Sequence, residues 1–338
     1  MPLPLLRLLG VLICCMLAGC ATRLSADAQQ AVAGKTYVVT GASSGFGRGV
    51  AIELGKMRAN VVLAARRTEV LNEVAAQVKA GGGTPLVVTT DVGRAEDVAR
   101  LAAATVARFG RIDVWINNAG VGAIGRFDTI PVEEHARLID VNLKGVIYGS
   151  HAALRQFRTQ RAGTLVNIGS VESEVPQAFH ASYSASKGAV LNLGRALNAE
   201  LRQSGGDGIH VVTVMPWAAD TPFFVHAANY SGGTPRMPAM DDAQKVVDAI
   251  VRASVYPREE VPVGWKARMA YWSHRIAPDP TESASAGIAR RYQFDTAPPA
   301  PNTSGSLFVP TPAGQGVDGG VRDRMKKENA ARKAGESK

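Results

Sequence analysis

With 338 residues, 46% of them hydrophobic, the chain is long enough for one large domain with appendages or for two small ones. The formal net charge of +9 gathers toward the carboxyl end (Arg322, Arg324, Lys326, Lys327, Arg332, Lys333, Lys338) with no recognition motif beside it, so a solvated basic tail is expected and nucleic-acid binding is not. All three cysteines (Cys14, Cys15, Cys20) lie in the first twenty residues, which excludes disulfides, a thiol nucleophile and a cysteine metal site from the remainder.

The amino terminus has the layout of an export signal: Arg7, then an uncharged apolar run over 8–18, closed by Leu17-Ala18-Gly19-Cys20. That box is similar to the one in bacterial lipoprotein signals, where the cysteine is lipidated and begins the mature chain. The run falls short of the ~20 apolar residues a membrane span needs. A cleaved lipoprotein-like signal is therefore expected, holding the chain at a membrane through Cys20, on a side the sequence leaves open. An uncleaved anchor and a translation start placed too early are the alternatives. Residues 25–33 read as a polar tether, so 1–33 stand apart from the fold.

From Lys35 onward, short apolar runs alternate with amphipathic helices. A strand over 37–40 runs into Gly41-Ala42-Ser43-Ser44-Gly45-Phe46-Gly47, and a helix follows through Val50, Ile52, Leu54 and Met57. A strand entering a glycine-rich turn that opens a helix is a phosphate cradle, because glycines admit the ligand and the free helical N–H groups face its charge. The second strand, 60–65, ends in Arg66-Arg67 rather than in an acid. An acid there would bind the ribose hydroxyls of NAD, whereas arginine accommodates the 2′-phosphate of NADP, so NADP(H) is expected over NAD. Strands at 86–90, 112–116, 164–168 and 209–214 deliver Asp91-Val92, Asn117-Asn118-Ala119-Gly120, Gly169-Ser170 and Pro216 at their carboxyl ends. A long helical stretch from 132 to 157 carries Asn142. The alternation predicts an α/β fold, a three-layer α/β/α doubly wound parallel sheet of about seven strands if 260–263 joins it. Ligands bind at the carboxyl ends of such strands.

Tyr183 and Lys187 stand four apart on a helix continuing through Leu193, Leu197 and Leu201, so phenol and ammonium share one face. A phenol titrates near ~10 in water, and a neighbouring cation lowers that value. Such a tyrosine exchanges protons with an alcohol or carbonyl oxygen near neutral pH.

Taken together, these segments resemble the short-chain dehydrogenase/reductase family in its single-domain Rossmann form, over about residues 35–255. Thr40-Gly41-x-x-x-Gly45-x-Gly47 is similar to the family's cofactor turn, and Asn117-Asn118-Ala119-Gly120 to its fourth-strand motif. Asn142, Ser170, Tyr183 and Lys187 match its tetrad, with thirteen residues from Ser170 to Tyr183. The resemblance implies that Tyr183 donates or accepts the proton and that Lys187 holds the nicotinamide ribose and acidifies the phenol. It implies that Ser170 holds the substrate oxygen and Asn142 positions a water. Gly41, Ser43, Ser44, Gly45, Phe46, Gly47, Arg66, Asp91, Val92, Asn118, Ala119, Gly120, Pro216, Ala219 and Thr221 would line the cofactor. The family's Pro-Gly is here Pro216-Trp217, so an indole would narrow the pocket or stack on a substrate beside Ser170 and Tyr183. The expected activity is hydride transfer between NADP(H) and an alcohol or carbonyl of a small apolar molecule, without a metal, in a homo-dimer or tetramer. A non-catalytic NADP-binding scaffold or redox sensor is the alternative.

Beyond the sixth strand the resemblance puts a substrate-covering loop over 223–238. Asp241 is expected to cap the next helix, with Gln244 in capping-box position. The stripe Trp265, Met269, Tyr271, Trp272 and Ile276 reads as a helix packed over the substrate cleft, a dimer contact or a membrane-facing surface, and packing is expected because aromatic stripes are usually core. Residues 34–255 read as the catalytic domain, 256–312 as an extension packed on it, and 313–338 as a disordered basic tail.

Overall fold

The computed structural model describes residues 24–336. The export signal, with Cys14, Cys15 and Cys20, lies outside the described residues. Among those described, no helix is long and apolar enough to cross a membrane.

Seven parallel strands form the sheet: β1 (Thr36–Thr40), β2 (Asn60–Ala65), β3 (Thr84–Thr89), β4 (Val114–Asn117), β5 (Gly163–Ile168), β6 (Ile209–Pro216) and β7 (Glu260–Val263), in the spatial order β3-β2-β1-β4-β5-β6-β7. The order reverses between β1 and β4, which pair with Tyr37 opposite Val114. In a doubly wound sheet this reversal opens a crevice at the carboxyl ends.

Strand side chains alternate between the faces and feed two cores. Val39, Val61 and Leu63 pack with the helices Gly45–Lys56 (α2), Thr68–Ala80 (α3) and Ala243–Val255 (α8). Val38, Val62 and Trp115 pack on the other face with Ala95–Phe109 (α4), Gly145–Gln160 (α6) and Ala181–Gln203 (α7). Both faces being covered explains the near-continuous apolar runs.

Several elements depart from the sequence reading. The tether instead contains a helix, Ala26–Val32 (α1), capped by Ser25. Leu24, Ala28 and Val32, four apart, bury one stripe that the polar residues between them disguise. The stretch from 132 is not one regular helix: Val132–Ile139 (α5) passes through a π-helical turn, Asp140–Lys144, into α6. The cap of α8 is Asp242, which accepts from the Gln244 amide at 3.1 Å, while Asp241 binds Lys245 and Lys266 at 2.8 and 2.6 Å. In Gly264–Ile276 (α9), Tyr271 is buried, but Trp265, Trp272 and Ile276 are 59%, 58% and 82% exposed. The next helix is Pro278–Arg290 (α10). Nor is the end of the chain irregular: Val321–Glu336 forms a helix (α11) with Val321 and Met325 buried beside Ile124, Phe224 and Met237.

Candidate active site

The glycine-rich turn between β1 and α2 is fixed by steric necessity. Gly41 has φ +68°, a region open to glycine, and a Cβ on Gly47 would lie 2.3 Å from the Gly41 carbonyl oxygen and 2.5 Å from Asn118 Nδ2. Thr40 Oγ1 accepts from the Asn118 and Ala119 amides at 3.0 and 3.1 Å, and Asn118 Nδ2 donates to the Thr40 carbonyl at 2.9 Å. These bonds tie the ends of β1 and β4 into one cradle with Gly45, Phe46 and Gly120. Ser44 is the N-cap of α2 and bonds nothing through its side chain, so its first-turn amides point to the crevice without an intrahelical partner. The glycine spacing, the Phe46 and Gly47 amides, which have no intrahelical partner, and the close strand approach fit a dinucleotide's diphosphate, while the Gly45 amide donates to Gly316 O at 2.9 Å.

The structure also brings Ser43, Arg66, Asp91 and Val92 to this end of the cleft. Ser43 Oγ accepts from Arg67 Nε at 3.3 Å, and Asp91 Oδ2 accepts from Arg137 Nη2 at 2.5 Å. Arg66 donates to the carbonyls of Ser306, Leu307 and Phe308, three residues of the carboxyl-terminal segment.

At the other end stands the tetrad. Asn142, fully buried in the π-helical turn, accepts from the Val121 amide at 2.8 Å and donates to Val121 O and Ser186 Oγ at 2.9 and 3.2 Å. The extra residue of a π turn re-aims the side chains around it, which is why such turns recur at functional sites. Lys187 Nζ donates to the Ile168 carbonyl at 2.7 Å, at the end of β5. Ser170 Oγ accepts from the Glu172 amide at 3.1 Å. The Tyr183 ring lies half-buried between Phe223 and His180, with ring centroids 5.4 and 6.4 Å away. Pro216, Trp217, Ala219 and Thr221 complete the wall, and the Trp217 indole donates to the Ala239 carbonyl at 3.2 Å. A single cavity of about 940 Å³ joins both ends.

The electrostatics differ from the sequence expectation. Desolvation pushes the Tyr183 phenol above its usual range; the Glu172 carboxylate adds to the rise, and a hydrogen bond from Ser170 opposes it. Desolvation lowers Lys187 to about 8, against the charge of Glu172. The ammonium sits 5.6 Å from the Tyr183 ring centroid and is aimed at Ile168, so it does not offset the burial of the phenol.

Sequence reasoning missed Glu172, His180 and Gln177, all on the cavity wall, where Phe223 of the expected covering loop also stands. Buried Glu172 accepts from Ser184 Oγ at 2.8 Å and meets His180 Nδ1 at 3.2 Å, and His180 Nε2 meets Gln293 at 2.8 Å. An acid two residues after Ser170 and a histidine three before Tyr183 were the available signals.

Comparison with known proteins gives the same outline. Residues 35–229 match the model of a family described as short chain dehydrogenase. The uncharacterized oxidoreductase YxnA of Bacillus subtilis is 30% identical over 277 residues, covering 81% of this chain and 78% of that protein. The 3beta-hydroxysteroid dehydrogenase 1 of Eggerthella lenta is 37% identical over 191 residues, 56% of this chain and 72% of that protein. A metagenomic short-chain oxidoreductase solved in complex with NADP superposes with a TM-score of 0.57 at 30% identity, over 68% of this chain and 96% of that one.

Proposed function

The chain belongs to the short-chain dehydrogenase family of oxidoreductases, and from that premise we propose that it interconverts an alcohol and a carbonyl on an apolar molecule with NADP(H) as cofactor. The observation that carries the reading is the meeting of Tyr183, Lys187 and Ser170 with the glycine cradle in one cavity, with Asn142 buried behind the wall at Val121 and Ser186. The Arg66-Arg67 pair at the end of β2, where no acid stands, supports NADP over NAD. So does the NADP complex of the similar metagenomic enzyme.

When bound, the nicotinamide supplies or accepts the hydride. The chain's own part is the proton and the orientation. In reduction Tyr183 gives its hydroxyl proton to the substrate oxygen, and in oxidation it takes that proton back. Ser170 Oγ holds the same oxygen with a bond that strengthens as negative charge develops. Lys187, held by the Ile168 carbonyl, is the donor from which the proton of Tyr183 is replaced. The space between Lys187 and Asn142 suits a water through which the proton returns: a Cβ on Gly120 would lie 3.5 Å from Asn142 Oδ1 and 3.7 Å from Lys187 Nζ.

Val175, Phe223, Phe224, Met237, Met269 and Ile288 give the substrate end an apolar lining. This favours a bulky secondary alcohol or ketone, and the similarity to a 3beta-hydroxysteroid dehydrogenase supports ring-fused examples. The test is NADPH consumption, and the reverse reaction, over a panel of apolar ketones and alcohols that includes 3-hydroxysteroids. Tyr183→Phe is expected to lower kcat by about 10³-fold with NADPH binding retained. Turnover undiminished in that variant would refute the mechanism.

A further inference from the structure

The segment 303–320 runs across the adenosine end of the cleft and turns its carbonyls toward the groups expected to hold the cofactor. Arg66 donates to Ser306 O at 2.5 Å, Leu307 O at 3.1 Å and Phe308 O at 2.9 Å. Arg67 donates to Thr311 O and Ala313 O at 3.2 and 3.4 Å, and Arg48 to Gln315 O at 2.9 Å. The Gly45 amide, first in α2, donates to Gly316 O at 2.9 Å. Ser306 and Pro310 line the same cavity as Gly41 and Ser43. The segment thus borders this space as a roof, and its carbonyls occupy the Arg66 and Arg67 guanidiniums and the Gly45 amide.

Both ends of the roof are fastened. Thr303 pairs with Asn229 by two backbone bonds of 2.8 and 3.0 Å. After the roof comes α11, whose first amides are capped by buried Asp220: Val321 N at 2.8 Å and Arg322 N at 3.2 Å. Arg236, 1% exposed, donates to Asn329 Oδ1 and Thr296 O, both at 2.7 Å, and lies 3.6 Å from Glu328. Breaking a buried charge from such partners is strongly unfavourable, so α11 is a firm anchor.

The charge beneath the roof is not balanced by the roof. Arg137 and Arg48 are paired with Asp91 and Glu73, at 2.5 and 4.0 Å. Arg66 and Arg67 hydrogen-bond only neutral oxygens. Carbonyl dipoles orient a guanidinium without supplying a counter-charge, and the Asp91 carboxylate whose charge reaches Arg66 is already paired with Arg137. A phosphate monoester, carrying about −1.5 to −2 at neutral pH, is the ligand that would compensate it.

The geometry points to residues 303–320 as part of the cofactor site: they hold Arg66 and Arg67 for the 2′-phosphate and close over the adenosine half, with α11 as the latch that slows cofactor exchange. This rests on the NADP(H) reading above.

The test uses the full chain. Val321→Asp/Met325→Asp places charge on the buried face of α11, and Asn329→Ala removes one bond to Arg236. NADPH release is followed by fluorescence after displacement with excess NADP⁺, and Kd is measured for NADPH and NADH. Near-UV circular dichroism monitors the core. Release is expected to quicken about tenfold in the double variant and about threefold in Asn329→Ala, with NADPH affinity falling further than NADH affinity. Unchanged release from folded variants would overturn the inference alone, as would tighter NADPH binding, which would make the segment a competitor. An unmodified chain that binds neither dinucleotide would overturn the cofactor reading and this inference with it.

Discussion

Gly120→Ala isolates the space between Lys187 and Asn142. The added methyl stands 3.5 Å from Asn142 Oδ1, 3.7 Å from Lys187 Nζ and 3.9 Å from Asn118 O, all ordinary contacts. Gly120 is not among the glycines with positive φ, so alanine fits without backbone strain. The methyl excludes water from beside the ammonium while leaving the bond from Lys187 to Ile168 O intact. A hydrogen bond to a charged group contributes about 1.5–3 kcal/mol. At about 1.4 kcal/mol per pKa unit, losing one lowers the Lys187 pKa by about 1–2 units. Starting from about 8, the cationic fraction at pH 7 falls from about nine-tenths to half or less. Activity that needs the cation is lost as pH rises through this pKa, so the alkaline limb of kcat/KM for the cofactor, which reports the free enzyme, moves acidward by the same amount. The assay is that profile across pH 5.5–9.5, with a thermal melt of each protein. An unmoved limb in a protein of unchanged Tm would refute the assignment of this space to a water on Lys187.

Two further outcomes follow from buried charge. The Glu172 carboxylate raises both the Tyr183 phenol and the Lys187 ammonium, so Glu172→Gln, which keeps the size of the side chain, is expected to move the whole pH profile acidward by about one unit; a profile identical to the unmodified protein's would contradict this. Burial pushes Tyr37, on β1, up to about 12, with a hydrogen bond from Ser254 opposing. The folded phenol keeps its proton while the unfolded one loses it near ~10, so this stability is complete below pH 10 and drains away toward 12, by up to about 2.7 kcal/mol. Urea denaturation at pH 9 and 11 should show that slope, and Tyr37→Phe should make it shallower, the remainder coming from Tyr183, Tyr230 and Tyr271, whose phenols burial also raises.

The sheet was legible because buried parallel strands are continuous apolar runs and their helices keep a 3.6-residue stripe, as in Val70, Leu71, Val74 and Val78. The tetrad was legible as a set of spacings. Its electrostatics were not: the same Tyr183–Lys187 spacing suggested an acidified phenol, whereas the outcome depends on the burial of the ring and on Glu172, which faces it from another element. The π-helical turn at Asn142 leaves the apolar pattern of its flanks intact, so periodicity carries no sign of it. The roof was illegible for a different reason. Its bonds to Arg66, Arg67 and Gly45 are made by backbone carbonyls, which every residue has, and its Pro- and Gly-rich composition is that of an unstructured tail. Its latch depends on Asp220 and Arg236, about a hundred residues upstream of the helix they hold.

The two halves of the cleft divide the work of binding. On the proposed reading the half that holds Arg66 and Arg67 receives the adenosine end of NADP(H), and its guanidiniums suit a phosphate. The substrate half of the proposed reading is lined by Phe223, Phe224, Met237, Met269 and Ile288, with the exposed Trp265 also on the wall. Apolar contact is non-directional and contributes about 25 cal/mol per Å², so it holds a hydrophobic body strongly without dictating its orientation. Direction comes from the few polar groups beside the reacting carbon: the Ser170 and Tyr183 hydroxyls. A substrate lacking the apolar body would keep those contacts but lose the binding energy that holds its oxygen against Tyr183. Such truncation lowers turnover as well as affinity. On the proposed reading the substrate end selects by hydrophobic bulk first and by the position of one oxygen second, so the fold says more about the class of reaction than about the molecule acted on.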